Sequence, residues 1–174
     1  MKILLLTVLT YCSMLIAGET SQQGGKMDIW FEGSVKIECD IQQVKQSLEN
    51  LGDHYVGLVK LMPGLTSVEL VEQGADFVII KTNEGFMKRT NISLQVTDEK
   101  VVVELDEEYK AGSMITSKSH FSESFTSTGN GIEHHLVISN LTAPGFVGFF
   151  YRNFGNSNIG NAFLSSYKRY FEGE

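Results

Sequence analysis

An almost unbroken series of short strand patterns runs from Leu65 to Leu141, and it limits the fold more than any other feature of the chain. Only two to four residues separate each pattern from the next. Connections this short require consecutive strands to be antiparallel neighbours. The predicted strands cover residues 66–73, 76–82, 86–97, 101–109, 114–127 and 132–141.

One more strand and two helices are predicted before this series. Apolar residues alternate with polar ones over 29–39, which indicates a half-buried strand. Asp40 and Gln43 have the spacing of a capping box, so a helix is predicted to begin after Asp40 and to end at Gly52. A second short helix is predicted over 53–62.

A long aromatic-rich segment follows the strands and is predicted to be helical over 144–171. Pro144 suits the start of a helix, while the glycine and asparagines of 155–158 favour a kink or a short break. The predicted fold class is therefore α+β, with a helix-grip arrangement. A curved antiparallel sheet of six or seven strands, with two short helices after strand 1, holds the long C-terminal helix in its concave face.

Composition predicts one globular domain over 27–174 that does not bind nucleic acid. The 174 residues are 42% hydrophobic and 20% charged, which suits a single core. The formal net charge is −7, and the basic residues are scattered rather than clustered as phosphate binding requires. The sequence has no CxxC, HxxxH or HxH motif, so neither a metal site nor a cofactor is predicted.

Residues 1–26 have two interpretations. Lys2, an apolar run over 3–17 and the small residues Ala17-Gly18 resemble a signal peptide followed by a short linker, which predicts export. The apolar run is too short for a membrane span, so no integral span is expected in the mature chain. Alternatively, translation starts at Met27, with a purine-rich ribosome-binding site encoding Gly24-Gly25-Lys26, and the protein stays in the cytoplasm.

The order of elements, with the segments IECDIQQVKQSLENLGDHYVGLVKLMPG and APGFVGFFYRNFGNSNIGNAFLSSYKRYFE, resembles the START-like or SRPBCC superfamily. The resemblance covers residues 28–172. It implies a helix-grip fold with an apolar cavity between the sheet and the last helix, as in lipid-transport and polyketide cyclase/dehydratase relatives. The superfamily has no universal catalytic motif, so the resemblance assigns no functional residues. The glycines and asparagines of 155–161 depart from its smoother terminal helix.

Strand periodicity selects the residues predicted to line this cavity. In the last strand, His134 shares a face with apolar residues, as a general base or a ligand-orienting group would, but also as a buried imidazole bonded to a neighbouring strand would. The preceding strand contributes polar residues among aromatics, which suits either a binding site or an exposed edge. The predicted lining residues are His134, Ser117, Ser119, Phe121, Glu123, Tyr109, Leu136, Phe146, Phe150 and Phe163.

Other charged residues are interpreted as surface residues. The run Asp106-Glu107-Glu108 is expected to be solvated, because consecutive strand residues diverge. Lys88-Arg89 is expected to pair outwards with Glu or Asp on a neighbouring strand, although a cation facing the cavity would suit an anionic head group such as a carboxylate.

Three functions remain open. Binding of a small apolar or amphipathic ligand, such as a lipid, isoprenoid or polyketide-like molecule, is expected first, and catalysis is not required for it. A cyclase or dehydratase that moves a proton with His134 or Glu123 is the second hypothesis. A protein-interaction module with a closed pocket is the third.

Overall fold

The computed structural model describes residues 28–113 and 115–173. The strands are β1 (Ile29–Ile37), β2 (Val68–Gln73), β3 (Val78–Thr82), β4 (Gly85–Val96), β5 (Lys100–Ala111), β6 (Ile115–Thr128) and β7 (Gly131–Thr142), and the helices are α1 (Ile41–Leu48), α2 (Leu51–Lys60), α3 (Gly145–Phe154) and α4 (Asn156–Glu172). The predicted strand–helix–helix–meander–helix order is confirmed.

All seven strands of the described residues form one antiparallel sheet in the order β1-β7-β6-β5-β4-β3-β2. Strand β1 pairs with β7 and so adds one more strand to the meander from β2 to β7. The edge strands of the sheet are therefore β1 and β2. The sheet is curved and open, and the chain has the predicted α+β helix-grip fold. The alternation of side chains along each strand directs one set of residues to the concave face.

The concave face contains the residues that a period of two predicted. Odd-numbered residues of β5 and β6 and even-numbered residues of β7 are buried, among them Val103, Leu105, Phe121, Phe125, Ile132 and Leu136. Charged residues at the same alternating positions of these strands are therefore directed to the concave face as well.

Helices α1 and α2 support the end of the sheet. The predicted capping box at Asp40 and Gln43 is confirmed. The prediction that Gly52 ends the first helix is wrong, because Asn50 caps α2 by accepting a hydrogen bond from the Asp53 amide. Gly52 instead lies in the first turn of α2, where its amide donates to the Gln73 side chain and a Cβ would lie 2.1 Å from Gln73 Oε1.

The predicted break in the C-terminal helix is confirmed at Gly155, between α3 and α4. Helix α4 packs against β1, β7 and α2, and it buries Phe163, Leu164 and Tyr167. Within the described part of the chain, no helix is long and apolar enough to cross a membrane. The predicted signal peptide or alternative start lies outside the described residues.

Candidate functional site

A cluster of ionisable side chains lies within the core and is called the buried polar cluster here. Its members come from two helices and four adjacent strands, and each is at most 8% exposed. They are His54 and Tyr55 of α2, Arg89 of β4, Glu107 of β5, Glu123 of β6, His134 of β7 and Tyr167 of α4. Charged residues are seldom this deeply buried without a structural or functional reason.

Arg89 and Glu107 form a buried ion pair between neighbouring strands. The Arg89 Nε atom donates to Glu107 Oε2 over 2.9 Å, and the two residues are 1% and 8% exposed. Burial opposes the charge of Arg89, but the combined electrostatic interactions with Glu107, Tyr167, Tyr55 and Glu123 outweigh it and keep the pKa of Arg89 above its ordinary value. Burial also raises the pKa of Glu107, and the charge and hydrogen bond of Arg89 offset only part of this increase.

Glu123 and His134 form the second buried pair. Glu123 Oε2 lies 3.2 Å from His134 Nε2, and the imidazole stacks on the Phe125 ring with 4.3 Å between centroids. Burial alone would raise the pKa of Glu123. The hydrogen bonds from His134 and Tyr167, together with the His134 and Arg89 charges, outweigh burial and leave the pKa below its usual value. The lowered pKa favours the ionised form of Glu123 within the core.

His54 connects the cluster with the partly exposed end of α4. Its Nδ1 atom lies 2.7 Å from the Ser47 hydroxyl, which lies 3.0 Å from the Tyr170 hydroxyl. Burial lowers the pKa of His54 to about 4, and the charges of Arg89 and His134 add to the decrease. The imidazole is therefore neutral at physiological pH.

Several polar atoms of the cluster have no hydrogen-bond partner in normal geometry among the described residues. They are His54 Nε2, Tyr55 Oη, Arg89 Nη1, Arg89 Nη2 and His134 Nδ1, and the Ser139 hydroxyl on β7 shares this property. Leaving a buried polar atom unsatisfied costs about 1–3 kcal/mol, and more for a charged group. Five such atoms on four neighbouring residues are an unusual concentration for a folded core.

The pronounced pockets of the described structure lie at its surface. Five of them have volumes of about 390 to 720 Å³, and His134 and Glu123 line none of the five. The largest lies beside the β6–β7 turn and the start of α1, and is lined by residues such as Glu38, Asp40 and Asn130. His134 and Glu123 therefore lie away from these five pockets, whereas Glu107 of the buried polar cluster lines one of them.

The structure brings several of the predicted lining residues together in the core. Phe121, Glu123, His134, Leu136 and Phe163 are all at most 4% exposed. The Phe121 and Phe163 rings meet edge to face with 5.3 Å between centroids, which joins β6 to α4. Leu136 lies opposite Glu123 in the β6–β7 register. Whether these residues contact a ligand stays a prediction.

The remaining predicted residues lie away from this group. Ser117 is buried and hydrogen-bonded to Tyr151, while Ser119 is half-buried opposite Glu107 and lines a surface pocket. Tyr109 is half-buried, and its hydroxyl donates to Glu84 over 3.1 Å.

Phe146 is 78% exposed, so its predicted inward position is wrong. That prediction extended the inward face across the expected break, whereas Phe146 lies on α3, which Gly155 separates from α4. The side chain of Phe150 lies outside what the structure describes.

The expected solvation of Glu107 and the expected outward position of Arg89 are also wrong. Arg89 lies two residues after buried Met87, so both side chains point to the same face of β4. In β5, Glu107 likewise follows buried Val103 and Leu105 at intervals of two. The alternation in the sequence therefore predicts that both side chains are buried, whereas the general preference of charged residues for solvent predicts that they are exposed. The helical patterns predict Tyr55 and Tyr167 on the buried faces of their helices, and they contain His54 without assigning it a position.

Among the described residues, no group of three or more His, Cys, Asp or Glu side chains is placed to hold a metal ion. Cys39 is buried and has a free thiol. Burial raises the pKa of this thiol to about 11, with a smaller contribution from the negative charge of Asp40, so it is a poor nucleophile at neutral pH.

Comparisons with known proteins support the fold. No family model matches the chain, and no curated protein gives a significant match. A hypothetical protein of Helicobacter pylori is similar in structure, with a TM-score of 0.54 and 13% identity over 98% of this chain and 99% of that one. An uncharacterised protein of Rhizobium leguminosarum has a TM-score of 0.56 and 10% identity over 83% of this chain and 94% of its own.

An aromatase/cyclase of Streptomyces also aligns, with 13% identity over 82% of this chain and 94% of that chain. Its TM-score is 0.39, which is too low to support an argument. The comparisons therefore show a shared fold, and the function has to be inferred from the residues of this chain.

Proposed function

We propose that the protein belongs to the START-like superfamily and binds a small amphipathic molecule between the sheet and α4, with the polar end of that molecule at the buried polar cluster. The observation that carries the proposal is the set of unpartnered buried atoms on His54, Tyr55, Arg89 and His134. A ligand that supplies hydrogen-bond acceptors and donors there relieves the cost of leaving these atoms unsatisfied.

The surroundings of the cluster suit the rest of such a ligand. Phe121, Phe125, Phe163 and Leu136 are apolar and adjoin the polar residues. Ligand sites usually combine a mostly apolar lining with a few placed polar groups. Apolar ligand surface buried here contributes about 25 cal/mol per Å² of affinity, and the polar residues select the orientation.

The first experiment is mass spectrometry of the protein purified from its own host, under native and then denaturing conditions. We expect a small-molecule adduct in the native spectrum that is lost on denaturation. The variant H134Q/E123Q replaces both titratable side chains of the second buried pair with neutral amides that can still hydrogen-bond, so it should fold and retain a different set of molecules. A native spectrum without any adduct, together with no binding of Nile red to the purified protein, contradicts the proposal.

A second candidate function is proton transfer, as in a cyclase or dehydratase. The supporting observation is that His134 uses Nε2 to contact Glu123 while Nδ1 has no partner in the described part of the chain. A carboxylate-bound imidazole with one free nitrogen is an arrangement that general bases use.

This second function is tested with a carbon acid. In D₂O, the protein should accelerate deuterium exchange next to the carbonyl of 2-tetralone, followed by NMR, and H134Q should abolish the acceleration. Exchange at the same rate with wild type, H134Q and buffer alone contradicts proton transfer and leaves ligand binding intact.

A further inference from the structure

The guanidinium of Arg89 forms a hydrogen bond through its Nε edge, and its Nη1 and Nη2 atoms carry the remaining N–H groups. Its Nε atom donates to Glu107, whereas Nη1 and Nη2 have no hydrogen-bond partner of normal geometry among the described residues, although the Tyr55 hydroxyl is close enough to interact with the guanidinium. The side chain is 1% exposed. A guanidinium has five N–H groups in a planar fork, so most of the donors of this buried cation are unused.

Aromatic rings fix the position of this guanidinium. The Arg89 Cζ atom lies 4.4 Å from the Tyr55 ring centroid, 5.4 Å from that of Phe121 and 5.6 Å from that of Phe163. Cation–π contacts stabilise the charge, but they do not supply acceptors for the N–H groups of Nη1 and Nη2. The rings and Glu107 therefore hold the fork in place before any ligand arrives, which reduces the entropy lost on binding.

A carboxylate is the group that best matches this fork. Its two oxygens accept two parallel N–H···O bonds, and charge-assisted pairs of this kind are about twice as strong as neutral ones. An alcohol or ketone offers a single oxygen. A phosphate monoester brings a charge near −2 at neutral pH, and repulsion by Glu107 and Glu123, which both interact with Arg89, opposes the second charge.

We infer that the ligand carries one carboxylate, which binds Nη1 and Nη2 of Arg89 opposite the edge that Glu107 occupies. The inference rests on the proposed function, since it names the polar end of the molecule bound between the sheet and α4. Glu107 shares the same guanidinium, and burial raises the pKa of Glu107, so this carboxyl group can take up a proton when the single carboxylate of the ligand binds beside it.

The test compares acids with neutral molecules of the same shape. Isothermal titration calorimetry measures decanoate against 1-decanol, and 2-naphthoate against 2-naphthylmethanol, at pH 7. For at least one pair, we expect the Kd of the acid to be lower than that of its alcohol by a factor of about ten or more, because the alcohol cannot form the bidentate charged contact.

Two variants link the preference to Arg89. R89M/E107L removes both buried charges together, so no unpaired charge remains, and it should bind acid and alcohol equally. R89K keeps the charge but loses the fork, and it should reduce the preference for the acid while the protein stays folded. Circular dichroism confirms that each variant is folded.

The outcomes separate the two proposals. Equal binding of acid and alcohol by the wild type overturns the carboxylate inference and leaves the proposed function standing. A preference for the acid that persists in R89M/E107L overturns it as well, because another group then recognises the carboxylate. Binding of none of the four probes contradicts the proposed function itself, and the inference falls with it.

Discussion

The Phe31 ring of β1 lies directly on Gly160 of α4, where a Cβ atom would be 2.2 Å from the Phe31 Cγ and Cδ2 atoms. Phe31 is 9% exposed and belongs to the main hydrophobic core. A glycine at this point lets the helix approach the sheet edge closely, and any side chain forces one of the two elements to move.

We expect G160A to destabilise the protein by up to about 2 kcal/mol, because overpacking costs about 1–3 kcal/mol and the gain in helix propensity offsets only about 1 kcal/mol of it. Urea unfolding measures the effect. N161A changes the next, exposed residue of α4 and should be neutral or slightly stabilising. Equal stability of G160A and N161A would mean that α4 does not contact β1 this closely.

The Arg89–Glu107 pair predicts strong coupling between two substitutions. R89M and E107L should each cost about 3–5 kcal/mol, because each leaves a buried charge without its partner, whereas the double variant should lie close to the wild type. A double-mutant cycle from urea unfolding at pH 7 gives the coupling energy. Additive losses in the double variant would show that the two side chains do not interact.

The sequence predicted the inward face of the sheet but not the charges on it. Phe121, Phe125 and Ile132 follow a period of two, and a half-buried strand requires nothing more. Arg89 and Glu107 obey the same period, but their burial depends on each being opposite the other on a neighbouring strand. Strand pairing supplies that information, and single-strand patterns do not contain it.

The wrong C-terminal end predicted for the first helix is explained by a nearby start signal for the second helix. Gly52 was interpreted as the end of a helix, yet Asn50 is a strong N-cap two residues earlier and starts α2 instead. The glycine is required by Gln73, which comes from a distant part of the sequence. The exposed position of Phe146 likewise depends on the relative direction of α3 and α4, which helical spacing alone does not determine.

His54 predicts an acid-sensitive contribution to stability. Its pKa falls from 6.5 in the unfolded chain to about 4 in the fold because burial disfavours the charge. The unfolded state therefore binds more protons between these values. The contribution is present above pH 6.5 and is lost as pH falls towards 4, by roughly 3 kcal/mol in total.

The variant H54Q tests this contribution. The difference in unfolding free energy between wild type and H54Q should shrink as pH decreases from 7 to 4, since glutamine does not titrate. Subtraction removes the effects of groups that do not interact with His54, such as Glu107, but not the effect of Glu123, which does interact with it. NMR titration of the His54 ring checks the pKa directly, and a midpoint near 6.5 would contradict the burial of this imidazole.

Two phenylalanines of the C-terminal segment should respond differently to truncation. F163A should cost about 3–5 kcal/mol, because Phe163 is 4% exposed and packs on Phe121. F146A should change stability by no more than about 0.5 kcal/mol, as expected for an exposed side chain. A large loss with F146A in thermal or urea unfolding would restore the inward position that helical spacing suggested.

Carboxylate binding at Arg89 should be coupled to proton uptake by Glu107. Burial already raises the pKa of Glu107, and a ligand carboxylate on the same guanidinium adds a second negative charge nearby, which raises that pKa further. The other titratable groups that interact with Glu107 are Arg89, Glu123, Tyr55, Tyr109 and Tyr151. Because the complex then holds more protons than the free protein, affinity for decanoate should rise as pH falls from 8 to 6.

Calorimetry in two buffers of different ionisation enthalpy, phosphate and imidazole at pH 6.5, measures the protons taken up. We expect a value between zero and one for the wild type, with affinity rising by at most about tenfold per pH unit. E107Q retains a hydrogen-bond acceptor for Arg89 Nε but cannot titrate, so its binding enthalpy should be the same in both buffers. Identical enthalpies for the wild type as well would assign no titrating role to Glu107. Uptake that persists in E107Q would assign that role to another ionisable group near Arg89, such as His54 or Glu123.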